Sequence, residues 1–347
     1  MHRDALDPHD SANDLSKSNP SSLPSSSFPA VHGTEASTAT TTIMTYNILA
    51  GGGPRLDAIE QVMRAGGADL IGVQEVTRLE ELARLAERLE MRYAVAKAPT
   101  GWHVGLLSRW PVLHMRAYGG PLLTRALLEA LVELPGGQQL RVFTTHLPAK
   151  FSERRAGEER RLRELDVILG HISAACPHGE PHVLMGDFNS VAPGERFRPM
   201  YVLQHALAVD ARRRSRGEAL AGHPGVDYIL PPVVRPFRGL LEGASQHAVL
   251  AWCCDRLAGL YMPRAVVRRM HAAGYVDCYA AMRPDPRTRE LTCPADAPGG
   301  RIDYVWTTPS LAERLVACEV LTDAPGCPVT CASDHRPILA TFHTGSE

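Results

Sequence analysis

The segment His182 to Ser190, read His-Val-Leu-Met-Gly-Asp-Phe-Asn-Ser, restricts the fold more than any other part of the chain. A short apolar run that stops at Gly186 and then presents Asp187 and Asn189 reads as a buried strand bringing polar side chains to its C-terminal end. Residues two apart on an extended segment share a face, so the carboxylate and the amide are expected side by side. Asp187 can take a proton from water and Asn189 can donate to an oxygen, a pairing suited to activating water beside a charged substrate. A second reading stays open here, an Asx-type turn in which both side chains serve only local backbone.

The remaining chain bears on that choice through a repeating pattern. Ile43 to Leu49 has strand character, ends near Asn47 and runs into the turn Gly51 to Pro54. Helical spacing from Leu56 to Ala65 closes at Gly66-Gly67, and Leu70 to Val73 returns as a strand with Gln74-Glu75 at its end. Leu79 to Glu90 is a plain amphipathic helix with acid-base pairs at helical spacing. Short strands follow at Tyr93 to Ala96, Val104 to Ser108 and Val112 to Tyr118. The leucines of Ala126 to Leu134 also fit a helix, but the Pro135-Gly136-Gly137 turn and the strand-like Leu140 to Thr145 favour a hairpin ending at His146. A charge-rich helix over Glu153 to Ser173 leads into the strand at His182. Near the C-terminal end, Arg301 to Trp306 is a strand with Asp303 facing inward, and Ser333-Asp334-His335 precedes a last strand, Ile338 to Phe342. Polar residues thus gather at strand ends, where α/β proteins build their sites.

Composition limits the class of protein. With 347 residues, 44% hydrophobic and 22% charged, the chain can fill one large domain or two smaller ones. A formal net charge of -1 argues against a protein that coats nucleic acid non-specifically. The eight cysteines and the lack of an apolar leader favour free thiols in a reducing compartment, so a cytoplasmic location is expected. No run reaches the roughly 18 apolar residues that read as a membrane span. Ser11 to Thr42 is dominated by Ser, Thr, Pro and Ala, so residues 1–42 are expected to be a disordered tail and 43–347 a folded domain.

Taken in order, Tyr46-Asn47, Gln74-Glu75, Leu107-Ser108-Arg109, Thr145-His146-Leu147, Gly186-Asp187-Phe188-Asn189, Ile302-Asp303-Tyr304 and Ser333-Asp334-His335 resemble the motif set of the endonuclease/exonuclease/phosphatase, or deoxyribonuclease I-like, superfamily. The resemblance spans Ile43 to Phe342 except for a middle segment. It implies a four-layered α/β sandwich, two mixed β-sheets face to face with helices outside, and Mg²⁺-dependent phosphoester hydrolysis with Mn²⁺ as an alternative ion. By the same resemblance Glu75 binds the metal with Asn47 and Asp334 supporting its shell, a set suited to a hard cation. Asp187 orients or deprotonates the attacking water. Asn189, His146 and His335 surround the phosphoryl oxygens, and Asp303 bonds to His335 and holds it charged. Arg109 joins His146 and Asn189 as substrate-binding. Asp227, in Val226-Asp227-Tyr228-Ile229, imitates the Asp303 motif and is set aside, because Asp303 stands shortly before Ser333-Asp334-His335.

Departures from the family pattern bear on substrate. Leu49 stands where abasic-site nucleases of the superfamily carry an acid, and Thr145-His146-Leu147 replaces their tyrosine-containing motif. This resembles the branch holding deoxyribonuclease I-like enzymes, sphingomyelinases and inositol-phosphate phosphatases, which leaves nucleic acid, lipid and small phosphoesters open. An insertion over about 196–262 carries the basic run Arg212 to Arg216 and an apolar run through Trp252, and reads either as a substrate-selecting cap or as a surface subdomain. Neither Cys253-Cys254 nor Cys327 with Cys331 has the paired Cys-x-x-Cys spacing of a zinc site, so buried thiols are expected. No obligate protein partner is indicated. The rival to an enzyme is a non-catalytic binding module that keeps the fold and uses the insertion as its partner surface.

Overall fold

The computed structural model describes residues 39–149, 154–216, 230, 232–262 and 264–344. One sheet contains β1 (Thr40–Asn47), β2 (Leu70–Val76), β3 (Arg92–Ala96), β4 (His103–Ser108), β11 (Leu315–Val320) and β12 (Ile338–His343), in the order β11-β12-β1-β2-β4-β3. The other contains β5 (Val112–Tyr118), β6 (Leu127–Glu133), β7 (Gln139–His146), β8 (His182–Asp187), β9 (Val276–Asp277) and β10 (Asp303–Thr307), in the order β5-β6-β7-β8-β10-β9. The principal helices are α1 (Leu56–Gly66), α2 (Leu79–Leu89), α3 (Arg154–Ala175), α4 (Pro199–Arg216), α5 (Arg238–Ser245), α6 (Ala248–Tyr261) and α7 (Ala265–Ala272).

Side-chain alternation explains the layering. On β1, Ile43 joins a core shared by both sheets with Leu70, Val142, Val183, Met185 and Val305. Its neighbours Met44 and Tyr46 face the other way and pack with Ile59, Val62 and Leu85 of α1 and α2. The second sheet repeats this, with Phe143, Leu184 and Trp306 buried against Leu165 and Ile168 of α3 and Val266 of α7. Strands covered on both faces must be apolar on both, which is why β8 reads as a continuous hydrophobic run. Two sheets between two helical layers give the four-layered α/β sandwich expected from the sequence.

Each sheet holds one parallel pair joined by a helical crossover, β1 to β2 through α1 and β7 to β8 through α3. Parallel pairing places C-terminal ends together, Asn47 beside Gln74 and His146 beside Asp187. Antiparallel β10 sets the N-terminal Asp303 opposite Asp187, and β12, antiparallel to β1, begins just after His335. Gly186 makes the second junction possible. Its φ is 150°, and a Cβ there would lie 2.0 Å from the Thr145 carbonyl oxygen on β7.

Several sequence expectations shift. β1 starts at Thr40 rather than Ile43, because Thr41 and Thr42 pair with β12 and Thr42 Oγ1 meets Thr341 Oγ1 at 3.0 Å. The rest of the expected tail, residues 1–38, lies outside the described residues. The ambiguous leucines form β6, paired with β7 across the Pro135–Gly137 turn. The described part of the insertion is mostly helical, with α4, α5 and α6 around a small core of Met200, Leu203, Ala206 and Leu230. Asp227 and the side chains of Arg213, Arg214 and Arg216 lie outside the described residues, while Arg212 is exposed on α4. All eight cysteines are free, yet Cys253 and Cys331 are exposed rather than buried, since their stretches of chain lie at the surface. No described helix is long and apolar enough to cross a membrane.

Candidate active site

The strand ends of the two sheets meet through one side chain. Asn47 Nδ2 donates to Glu75 Oε1 at 3.2 Å within its own sheet and to Asp187 Oδ2 at 3.1 Å across to the other. Its Oδ1 accepts the Leu49 amide at 3.0 Å, which fixes the amide's orientation. Glu75 Oε2 takes the Ala50 amide at 2.8 Å, and the rest of this half-buried carboxylate faces solvent. Leu49, Ala50, Glu75 and Asn189 all adopt the left-handed region, with φ of 52°, 52°, 62° and 48°. For side chains larger than glycine this costs on the order of 1 kcal/mol each, and such strain collects where function demands a particular presentation.

Of the two sequence readings of Asp187 and Asn189, the Asx-type turn is present. Asp187 Oδ1 accepts the Asn189 amide at 2.9 Å, an Asx-type turn, and Asn189 leaves the extended conformation there. The turn still carries Asn189 into the site, where Nδ2 donates to the Leu147 carbonyl at 2.9 Å and lies 3.3 Å from His146 Nε2. With Nε2 accepting, the imidazole proton is assigned to Nδ1, which is buried without a hydrogen-bond partner. Burial pushes the His146 pKa well below its ordinary value, and the charges of Arg125 and His335 push the same way, so the ring is neutral. His146 is 1% exposed and stands behind the Asp187 turn, with Nε2 3.5 Å from Asp187 Oδ2.

His335 has the opposite character. Its Nδ1 lies 3.1 and 3.0 Å from the two oxygens of Asp303, and its Nε2 points toward Asp187 Oδ2 at 3.8 Å. Burial works against charge on this ring, but the Asp303 carboxylate and the neighbouring Cys293 outweigh it and raise the pKa well above the ordinary histidine value. Asp187 is pushed up to about 7, first by burial and then by the charge of Asp303, with His335 pulling back. Near neutrality the pair therefore combines a carboxylate able to accept a proton with an imidazolium able to donate a hydrogen bond. Ser333 secures the His335 loop, since its Oγ donates to the Asn47 carbonyl at 2.6 Å and accepts the His335 amide at 3.2 Å.

Asp334 completes the rim. Its side chain is 37% exposed, and Oδ1 lies 4.0 Å from His335 Nε2. Glu75, Asp187, Asp303 and Asp334 thus form one connected set, and among the described residues none of the four makes an ion pair with Arg or Lys. Carboxylates gathered at a buried strand end need compensating positive charge, and His335 supplies only one. Carboxylates short of positive charge fit a divalent cation. Among the described residues the groups close enough to share one are Asp187 with Asp303 and His335, and Cys293 with Asp334 and His335. Glu75 is in neither, and Asn47 turns its Nδ2 rather than its oxygen toward Glu75.

Arg109 is not brought to this place. It follows β4, which runs antiparallel to β2, so Ser108 pairs with Leu70 while the site end of β2 lies near His103. Arg109 donates to the Ala68 carbonyl at 3.3 Å and sits 3.7 Å from Asp69, at the far end of the sheet. Among the described residues two other guanidinium groups lie near the site: Arg55, which donates to the Ile48, Leu49 and Ala332 carbonyls, and Arg125, just before β6, which bears on His146 and lies 4.9 Å from the Trp102 ring centroid. Nothing in its local sequence distinguishes Arg125; the hairpin register places it beside the end of β7. Sequence reasoning also missed a buried network behind the site, in which Arg301 bonds Glu195 and Asp277, Arg289 joins Glu195 at 2.7 Å, and the start of β10 is anchored.

Comparison with known proteins agrees with this fold. The family model described as Endonuclease/Exonuclease/phosphatase family matches residues 44–335. Among solved structures, an endonuclease/exonuclease/phosphatase from Beutenbergia cavernae aligns with TM-score 0.51 and 20% identity over 88% of this chain and 72% of its own. An AP endonuclease from Archaeoglobus fulgidus aligns with TM-score 0.54 and 17% identity over 87% of this chain and 99% of its own. The 3′ phosphatase NExo from Neisseria, solved with a product DNA hairpin, gives TM-score 0.54 and 17% identity over 87% and 99%. At these identities the likeness is one of fold. Among curated proteins none matches at a significant level.

Proposed function

This chain belongs to the endonuclease/exonuclease/phosphatase family, whose members hydrolyse phosphoester bonds, and from that premise we propose that it is a Mg²⁺-dependent phosphodiesterase or phosphatase acting by in-line attack of water on phosphorus. The observation that carries this reading is the connected set of Glu75, Asp187, Asp303, Asp334 and His335, bridged by Asn47 across the two sheets and lacking Arg or Lys ion pairs among the described residues.

In this mechanism Asp187 receives the proton of the attacking water, and its raised pKa suits transfer near neutrality. The Asn189 amide and the Asn47 side chain hold the carboxylate in one rotamer. His335 donates from Nε2 to a phosphoryl oxygen as charge develops there, while Asp303 keeps the ring oriented and charged. His146 is a positioning residue, neutral and enclosed, that braces Asn189 and Asp187. The cation, Mg²⁺ or alternatively Mn²⁺, supplies Lewis acidity when held by Glu75, Asp334 and Asn47. The substrate is a phosphoester, with nucleic acid, lipid and small molecule kept as arms of the test. The eight free cysteines support work in a reducing compartment, the cytoplasm.

The test is hydrolysis of an aryl phosphodiester, plasmid DNA, RNA, sphingomyelin and inositol phosphates with Mg²⁺, with Mn²⁺ and with chelator. Metal-dependent turnover of at least one substrate, lost in Asp187→Asn, is expected. Turnover that survives in the variant, or no turnover under any metal condition, overturns the reading.

A further inference from the structure

In the phosphoester chemistry described above Cys293 touches no reacting atom and acts only as a neighbour of His335. Its Sγ, a carboxylate oxygen of Asp334 and a ring nitrogen of His335 nevertheless lie within 4.8 Å of one another. Two loops are stitched together to give this arrangement. Cys293 exchanges backbone hydrogen bonds with Gly300 at 3.0 and 3.1 Å, the Asp334 carbonyl accepts the Ala295 amide at 2.7 Å, and the Arg336 amide bonds to the Thr292 carbonyl at 2.9 Å. The thiol is therefore held beside the Asp334-His335 corner by main chain on both sides. As a whole residue Cys293 is half-buried.

We propose that Cys293, Asp334 and His335 form a site for a borderline-soft divalent cation, Zn²⁺ above all, whose occupation shuts off the hydrolytic reaction. Sulfur, nitrogen and oxygen donors together are the set zinc takes in tetrahedral sites, whereas a hard cation gains nothing from the sulfur. Bonds of about 2.0–2.3 Å place tetrahedral ligands roughly 3.5 Å apart, so the 4.0 Å from Asp334 Oδ1 to His335 Nε2 closes by a small side-chain rotation. The His335 ring is already oriented for this role, because Asp303 occupies Nδ1 and leaves Nε2 to the metal, the carboxylate-histidine support typical of zinc ligands. Asp187 Oδ2, 3.8 Å from the same nitrogen, or a water completes the shell. Binding takes Cys293 as thiolate and His335 as neutral imidazole and releases a proton from each to solvent. Zinc here removes the Nε2 hydrogen that the phosphoryl group needs and occupies Asp334.

The inhibitory consequence rests on the phosphoester reading; the site itself does not, and two measurements keep them apart. Full-length protein titrated with Co²⁺ is expected to develop a thiolate-to-metal charge-transfer band that is absent from Cys293→Ser and Cys293→Ala and retained in Cys331→Ser, the control for an exposed thiol. In the hydrolysis assay at fixed Mg²⁺, with each protein's rate taken relative to its own rate without Zn²⁺, wild type is expected to need at least about tenfold less Zn²⁺ for half-inhibition than either Cys293 variant. A cobalt band that persists in both Cys293 variants, or equal zinc sensitivity in all proteins, overturns the proposal. Absence of any hydrolysis with the Cys293-dependent band present overturns the phosphoester reading alone.

Discussion

Replacing Asp187 by Asn should abolish activity and, in the absence of metal, make the protein more stable. The carboxyl is 1% exposed, and burial with the Asp303 charge moves its pKa from 3.8 to about 7. Ionising it in the folded state therefore costs on the order of 4 kcal/mol. The sign follows from linkage: the folded pKa exceeds the unfolded one, so the penalty is absent below about pH 4, grows as the pH rises to about 7 and is constant above. Asparagine removes this penalty but sets its Nδ2 against the Asn47 donor now 3.1 Å from Oδ2, which returns about 1–2 kcal/mol. The net expectation is a gain of roughly 2 kcal/mol at about pH 8 with chelator present, vanishing or reversing at about pH 4.5. Paired urea titrations of wild type and variant across this range measure it, and the difference between the two proteins cancels other titrating groups. A difference that does not change with pH, or a variant less stable than wild type at pH 8, would refute the argument that this carboxylate is held at a cost. Mg²⁺ should narrow the gap by stabilising wild type more.

Asp303→Asn should lower the His335 pKa, because the carboxylate offsets the burial that opposes its charge, so the alkaline limb of the kcat profile is expected to move to lower pH while folding is retained. Gly186→Ala should cost several kcal/mol, about 3 or more in urea unfolding, because the new Cβ falls 2.0 Å from the Thr145 carbonyl oxygen on an adjacent strand. Arg109→Ser should leave kcat/KM within about twofold of wild type and change stability by less than about 1 kcal/mol, since it removes partly exposed contacts with Asp69 and the Ala68 carbonyl at the end of the sheet away from Asn47 and Asp187.

Some of this was open to a reader of the sequence and some was not, for identifiable reasons. Asn47, Glu75, His146 and Asp187 could be found because each ends an apolar strand, and crossovers that keep strands parallel bring such ends together. Arg109 also ends a strand, but β4 is antiparallel to its neighbour and presents that end elsewhere; strand direction leaves no mark on periodicity. The helices of the insertion were missed as such because their apolar residues do not mark a buried face: Val249, Trp252 and Leu260 are 73%, 61% and 80% exposed. The ion pairs of Arg301 with Glu195 and Asp277 join residues far apart in sequence, and nothing local announces them.

The placement of β12 has a consequence for how the protein is made. β1, an early strand, waits between β2 and β12, and the loop that leads into β12 carries Asp334 and His335. A ribosome-bound chain that has not yet reached these residues already holds Glu75 and Asp187 but lacks its imidazolium, and β1 presents an unpaired edge. On the proposed mechanism the closing of the sheet around β1 also completes the candidate site, and a chain truncated before β12 is expected to be inert toward phosphoesters.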